Sequence, residues 1–265
     1  MEIVAVIPAH LASVRFPRKI LFPFFNVPMV EHVRRRSLLV KSISDVYVAT
    51  CDEEIAECIR SYGGQVIMTS STHTNGMTRV AEAILQIDCT HVILLQGDEP
   101  LLIPRHLELL VTAIIENPKG DAWNATAPIE DPEELDRHSF VKCTISDSNR
   151  ILYCFRRTPG YAEFCLQQEY TRKILGLIAY RKDFLLNLAD LGASTIEKAE
   201  FIEQMRIIEN GYHLRSVPVS PSLPSVNEPE EANVVLEFID YDVEQQELLK
   251  RTLVNKEKMG NSLVT

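Results

Sequence analysis

Short apolar runs alternate with segments of helical periodicity through the first half of the chain. Strands are expected at 2–8, 45–50, 65–69, 91–96 and 122–128, and helices at 28–41, 53–61, 79–87 and 104–117. This alternation predicts an α/β fold, a mostly parallel, Rossmann-like sheet covered by helices on both faces. Val92-Ile93-Leu94-Leu95 is apolar without a break, the pattern of a central strand buried on both sides. The pattern then changes. VKCTISD and RILYCFR within 140–156 read as a hairpin turned at Ser148-Asn149, and residues 161–171 look irregular and polar. ILGLIAY (174–180) returns as a strand, and 196–210 reads as one helix that places Glu197, Glu200 and Gln204 on a single stripe. A last strand at 213–219 leads into the proline-rich SPSLPSVNEP, and 240–257 reads as a polar helix before a frayed tail. No internal repeat and no long linker divides the chain. The expectation is one domain over 1–240, with an insertion at about 135–190, and a C-terminal helix and tail over 241–265.

Composition narrows this picture. A net charge of −10 makes a general nucleic-acid or anionic-membrane surface improbable. A basic loop near the N-terminus is therefore more informative than it would be in a basic protein. The six cysteines (Cys51, Cys58, Cys89, Cys143, Cys154 and Cys165) lack C-x-x-C spacing and read as reduced thiols of a cytoplasmic protein. No apolar run approaches the length of a membrane span, and no basic segment precedes an apolar one at the N-terminus.

Three segments could carry chemistry. In IVAVIPAHLASVRFPRKIL (3–21) a buried strand stops at Pro8 and opens into a small-residue loop holding Arg15, Arg18 and Lys19. Open α/β sheets hold phosphates at such strand ends, although the loop matches neither G-x-x-x-x-G-K-[ST] nor G-x-G-x-x-G. QGDEP (96–100) puts Asp98 at the end of the central strand, where a carboxylate beside phosphates suits Mg²⁺, and Gly97 before it would let a ligand approach the backbone. THTNGMTR (72–79) offers Gly76, a helix N-terminus and Arg79 to an anion or base edge. The other features read blandly. Arg34-Arg35-Arg36 is a solvated helix face, Trp123 is core, and His32, His91, His106 and His213 have no metal-ligand spacing.

These segments, in this order, resemble the 3-deoxy-manno-octulosonate cytidylyltransferase (CMP-Kdo synthetase) family. IPAHLASVRFPRK stands for its IPAR-x-x-S-x-R-x-P-x-K, HTNGMTR for its H-x-S-G-T-[DE]-R, and QGDEP is intact. Further matches are VKC (141–143), LY-x-x-R (152–156), LG-x-x-AYR (175–181), EFIEQMR (200–206) and SVNEPEE (225–231). The resemblance implies transfer of CMP from CTP to a Kdo-like acidic sugar, with release of pyrophosphate, in lipopolysaccharide biosynthesis. It implies catalytic roles for Arg15, Lys19 and Asp98. It places Pro8, Ala9, His10, Ser13, Arg15, Lys19, His73, Gly76, Arg79 and Gln96 around the nucleotide. Arg156, Tyr180, Glu203 and Gln204 would face the sugar acid, and Asp98 with Asn227 would hold Mg²⁺. It also implies a homodimer formed in part by the inserted lobe near 140–185.

Four positions depart from the family pattern. His10 replaces a triphosphate-binding arginine, Arg18 the glycine of P-G-K, and Ile174 the histidine of H-L-G. Asn227 replaces the second metal-binding aspartate, with Glu228 one position away. Three readings stay open: an active Kdo-like enzyme, a nucleotidyltransferase for a different acidic acceptor, and a non-catalytic nucleotide-binding homologue.

Overall fold

The protein is described from a computed structural model covering residues 1–260, with side chains through Leu253. Its first half holds β1 (Ile3–Ala9), β2 (Pro23–Phe24), β3 (Val27–Pro28), α1 (Met29–Ser37), β4 (Val46–Thr50), α2 (Glu53–Ser61) and β5 (Gln65–Met68). There follow α3 (Gly76–Ala83), β6 (His91–Leu95), α4 (Pro104–Glu116), β7 (Ala122–Pro128) and α5 (Glu133–Asp136). Then come β8 (Lys142–Ile145), β9 (Ile151–Phe155), α6 (Phe164–Tyr170), β10 (Thr171–Arg181), α7 (Lys182–Asp190), α8 (Thr195–Glu200) and α9 (Gln204–Glu209). The last elements are β11 (Leu214–Pro218), α10 (Glu231–Tyr241) and α11 (Val243–Gly260). The expected frayed tail lies, from residue 261 on, outside the described residues.

Two compact units can be distinguished. The first comprises Val4–Ala83, Leu95–Pro104 and the chain from Leu223 onward. Its strands β1, β4 and β5 are parallel, with Ala5 opposite Val46 and Thr50 opposite Met68. Val4 to Ile7 are buried without interruption, the pattern of a strand covered on both faces. The second unit comprises Met1–Ile3, Ile84–Leu94 and Arg105–Ser222. Its strand order is β11-β7-β10-β6; β7 runs parallel to β11 and antiparallel to β10. The start of β10 pairs with β8, and β8 with β9, so the expected hairpin is present with Asn149 at positive φ in its turn. Trp123 is fully buried, as expected of core. No described helix is long and apolar enough to cross a membrane.

The structure corrects several sequence expectations. Residues 161–171 are not irregular: α6 forms there because the buried Gln167 side chain bonds Ala162 O (2.6 Å) and Thr158 Oγ1 (2.8 Å), which organises the loop from inside. The helix expected at 196–210 breaks at Phe201 (φ 55°) into α8 and α9, so Glu197, Glu200 and Gln204 share no stripe. Glu197 is instead buried against Arg206 at 2.6–2.7 Å. Three helices, α5, α7 and α10, were not anticipated. In α10, Ala232, Val235 and Ile239 recur at i, i+3 and i+7 and are buried. Each aliphatic side chain so removed from water stabilises by about 1.5–3 kcal/mol. They pack in a cluster with Phe24, Met29, Leu101, Val226 and Leu249.

The basic run on α1 is not a solvated face. Arg34, Arg35 and Arg36 are all buried, as is Glu31, which bonds Arg34 Nε and Arg35 Nε at 2.6 Å. Arg35 also donates to Thr252 O, and Arg36 to Gln245 Oε1 and Leu102 O, so α11 covers that side of α1. His32, His91 and His106 are satisfied by the main-chain oxygens of Phe24, Pro118 and Ser220. All six cysteines are free thiols.

Candidate functional site

A cavity of about 620 Å³ opens in the first unit at the C-terminal ends of β1 and β4 and above the residues that follow β6. Its walls include Pro8, Ala9, His10, Ala12, Ser13 and Lys19 from the basic loop, Cys51 and Asp52 after β4, and Gln96, Gly97 and Asp98. His73, Thr74, Asn75, Gly76 and Arg79 close the remaining side. Carboxyl ends of parallel strands are where open α/β sheets bind ligands, since the loops there are free to vary while the strands fix their positions.

The basic loop is held at defined points. Leu11 N–H donates to Asp52 Oδ2 (2.9 Å), Ser13 N–H to Leu11 O (2.8 Å), and Arg18, at φ 60°, forms an ion pair with Glu54. Lys19 Nζ lies 2.6 Å from Asp98 Oδ2, with both side chains mostly shielded. Gly97 lines the cavity, and its lack of a side chain also serves packing. A Cβ there would come within 2.5 Å of Ile20 Cδ1 and 3.3 Å of Ile7 Cγ2, so packing of the loop onto β1 excludes a side chain.

On the opposite wall Asn75 caps α3 through its Oδ1, which accepts Thr78 N–H at 2.9 Å. Arg79 is buried and donates to Thr69 Oγ1 (2.7 Å) and Ser70 O (3.3 Å), which fixes a cation beneath the helix N-terminus. His73 bonds Thr78 Oγ1 and forms a close pair with Glu82, whose carboxylate also receives Ser70 N–H. The hydrogen bond from His73 holds the Glu82 carboxyl below its usual range. Burial, followed by the Arg79 guanidinium, holds His10 below the ordinary imidazole range, so it is neutral at pH 7. Lys19 and Arg79 thus supply the cavity's permanent positive charge; Asp52 and Asp98 supply the negative.

Not every expected residue lies on this wall. Arg15 and Asn227 are not among the described residues lining the cavity. Arg15 faces Glu228, with Nη1 3.6 Å from Oε1. Asn227 belongs to a turn fastened to the QGDEP segment by Val226 N–H to Asp98 O (3.0 Å), and its own amide nitrogen donates to Ser225 Oγ (3.2 Å). Sequence reasoning missed Asp52, Asn75 and Glu82. Asp52 had a signal, since it follows a strand end just as Asp98 does. Glu82 had none, because it meets His73 only once α3 is folded.

The expected acceptor residues belong to the second unit. Arg156 on the segment after β9 donates Nε to Glu200 O (2.9 Å), Nη1 to His138 O (3.0 Å) and Nη2 to Phe201 O (3.1 Å). Its guanidinium therefore braces the α8–α9 break. Gln204 donates to Asn124 Oδ1 (3.0 Å), and Tyr180 is fully buried in β10, where burial pushes its phenol well up. Glu203 precedes α9, beside Gln204. Lys142 is buried below them, donating to Arg137 O (2.8 Å), Phe140 O (2.9 Å) and Arg156 O, and burial lowers its pKa to about 8. Ile174 pairs across β10 with Thr126 and donates its N–H to Val141 O (2.9 Å).

Comparison with known proteins gives consistent results. A family model described as cytidylyltransferase matches residues 4–216. The 3-deoxy-manno-octulosonate cytidylyltransferase of Geobacter metallireducens is 34% identical over 247 residues, covering 89% of this chain and 97% of that protein. The 8-amino-3,8-dideoxy-manno-octulosonate cytidylyltransferase of Shewanella halifaxensis is 34% identical over 240 residues, covering 88% and 97%. The solved structure of CMP:2-keto-3-deoxy-manno-octonic acid synthetase complexed with CTP superposes with a TM-score of 0.85 at 31% identity, covering 91% of this chain and 99% of that one.

Proposed function

The chain belongs to the cytidylyltransferase family, and we propose that it transfers CMP from CTP to the anomeric hydroxyl of an eight-carbon acidic sugar of the Kdo type, releasing pyrophosphate. The observation that carries this reading is the cavity of the first unit, about 620 Å³, whose wall holds the Lys19–Asp98 ion pair and Arg79. Nucleotidyl transfer asks little covalent chemistry of a protein; it asks that the acceptor be held in line with the α-phosphate and that developing charge be neutralised. Lys19 does the second. Its ammonium, paired to Asp98, is placed to move to the phosphate oxygens of an entering nucleotide. Pro8, Ala9, Ser13 and Gln96 shape the nucleotide's bed, and the N-terminus of α3 with Arg79, Gly76 and His73 receives its cytidine side.

The donor set fits Mg²⁺. A hard cation that keeps its waters and phosphate oxygens needs only one or two protein oxygens, and Asp98 offers a carboxylate whose partner is a mobile ammonium. Asn227, on the turn bonded to Asp98 O, would add an amide oxygen without charge. When bound, Mg²⁺ supplies charge neutralisation at the phosphates. Glu203 and Gln204 at the start of α9 are assigned to the acceptor, and the Arg156 guanidinium, engaged with three main-chain oxygens, positions the α8–α9 break before them. The same reading gives a cytoplasmic homodimer feeding lipopolysaccharide synthesis, its contact face including Leu152 and Tyr153, exposed on β9.

The test is pyrophosphate release with CTP, Mg²⁺ and a panel of ulosonic acids that includes Kdo and its 8-amino form. Turnover with Kdo, lost in Asp98→Asn, is the expected result. Preference for another acid would reassign the acceptor, a reading favoured by the apolar Ile174 in β10. CTP binding without turnover on any acid would make the protein a non-catalytic homologue, and Asn227→Asp would then be the variant in which activity returns.

A further inference from the structure

The loop from His10 to Arg18 carries two arginines, and each faces a carboxylate of its own unit. Arg18 pairs with Glu54 on α2, and Arg15 Nη1 stands 3.6 Å from Glu228 Oε1. Ala12, Ser13 and Lys19 of the same stretch line the cavity, whereas Arg15 does not. Glu228 is carried on an anchored turn. Val226 N–H reaches Asp98 O at 3.0 Å, and the amides of Asn227 and Glu228 both donate to Glu231 Oε2, at 2.5 and 3.1 Å. Glu231 is thereby committed to the backbone, and the acid that this turn presents to the basic loop is Glu228.

We propose that Glu228 is a positioning residue, a counter-charge that holds Arg15 beside the cavity and yields it to the polyphosphate of an entering nucleotide. The inference rests on the reading of the cavity as a nucleoside triphosphate site. Both side chains of the pair are more than half exposed, at 60% and 55%, so water and salt screen the contact and its exchange is easy. A triphosphate offers several charged oxygens to the guanidinium fork, where Glu228 offers one oxygen at long range. Glu228 thus gives Arg15 a defined resting place, and it competes with the nucleotide for that cation.

Competition of this kind has a signature that a merely structural role lacks: removing the acid tightens binding. Isothermal titration of the intact protein with CTP in EDTA reads the effect without metal or turnover. Glu228→Gln is expected to bind CTP about two- to fivefold more tightly than the wild type at low salt, the size of an exposed pair. The gap closes at high salt, and Glu228→Asp restores wild-type affinity. In an Arg15→Ala background, Glu228→Gln is expected to change nothing, because the cation it competes for is gone. Unchanged or weaker CTP binding by Glu228→Gln at low salt overturns the proposal, as does an equal gain in the Arg15→Ala background. Should Glu228→Gln not fold, Glu228→Ala serves in its place in the wild-type and Arg15→Ala backgrounds, with the same results overturning the proposal. Failure of the wild type to bind CTP overturns instead the reading of the cavity on which the proposal rests.

Discussion

His10 shows how one position sets the charge of the site. It stands at the end of β1 where the family pattern has an arginine, and burial with the Arg79 guanidinium keeps its imidazole neutral at pH 7. A triphosphate placed beside it raises its pKa again, so binding takes up a proton. CTP affinity is therefore expected to rise as pH falls from 8 toward 6. His10→Arg carries its charge throughout that range; it is expected to bind CTP about three- to tenfold more tightly at pH 8 and to lose the part of the pH dependence that belongs to the protein. Titration calorimetry of both proteins across the range checks this, since the nucleotide's own titration is common to them. Lys19, Asp98 and Arg79 were legible in the sequence because each follows a strand end or opens a helix. Arg15 was assigned to the cavity on the same logic, yet it faces Glu228, a residue 213 positions away in the chain whose proximity no local pattern encodes.

At the level of the element, α1 carries the same lesson with larger energies. Three consecutive arginines cannot lie on one side of a helix, so a solvated face was the simple reading. The helix is instead enclosed, with Glu31 neutralising Arg34 and Arg35 and α11 accepting the rest. Periodicity identifies a helix but does not reveal a second helix laid over its polar side: α11 was expected as a polar helix at 240–257, but its place over α1 was not. His32, on the same helix, gives a measurable consequence. Its ring bonds Phe24 O at 2.8 Å, and burial lowers its pKa from 6.5 to about 4. Between those values the unfolded chain binds a proton that the folded one does not. This contribution is fully present above pH 6.5 and is lost as pH falls through that window toward 4. At 1.36 kcal/mol per pH unit the loss approaches about 3 kcal/mol. Urea unfolding of the wild type from pH 7 to pH 4 should show it, and His32→Gln, which keeps a donor for Phe24 O without a titrating ring, should flatten the curve.

For the molecule as a whole, chain order conceals how the units are assembled. The alternation of strands and helices identified the sheet class, but the first unit is drawn from three separated stretches, the last of them wholly C-terminal. What fastens that last stretch is partly apolar, through Val226, Val235, Ile239 and Leu249, and partly the buried Arg36. The Arg36 guanidinium donates to Gln245 Oε1 at 2.6 Å and Leu102 O at 3.1 Å, while its Nε and Nη2 find no hydrogen-bond partner among the described residues. Burial lowers its pKa to about 10, which still leaves it charged at pH 7. Two acceptors and the attraction of Glu244 only partly offset its desolvation, so a buried cation of this kind is a poor source of stability. Gln245→Ala removes one of those acceptors and is expected to cost about 2–3 kcal/mol. Replacing both members with apolar groups of similar volume, Arg36→Met with Gln245→Leu, removes the buried charge itself and is expected to restore stability to the wild-type level or above. Denaturant midpoints of the three proteins decide the matter. A double variant less stable than Gln245→Ala would mean that the charge of Arg36, rather than the packing around it, holds α11 on the first unit.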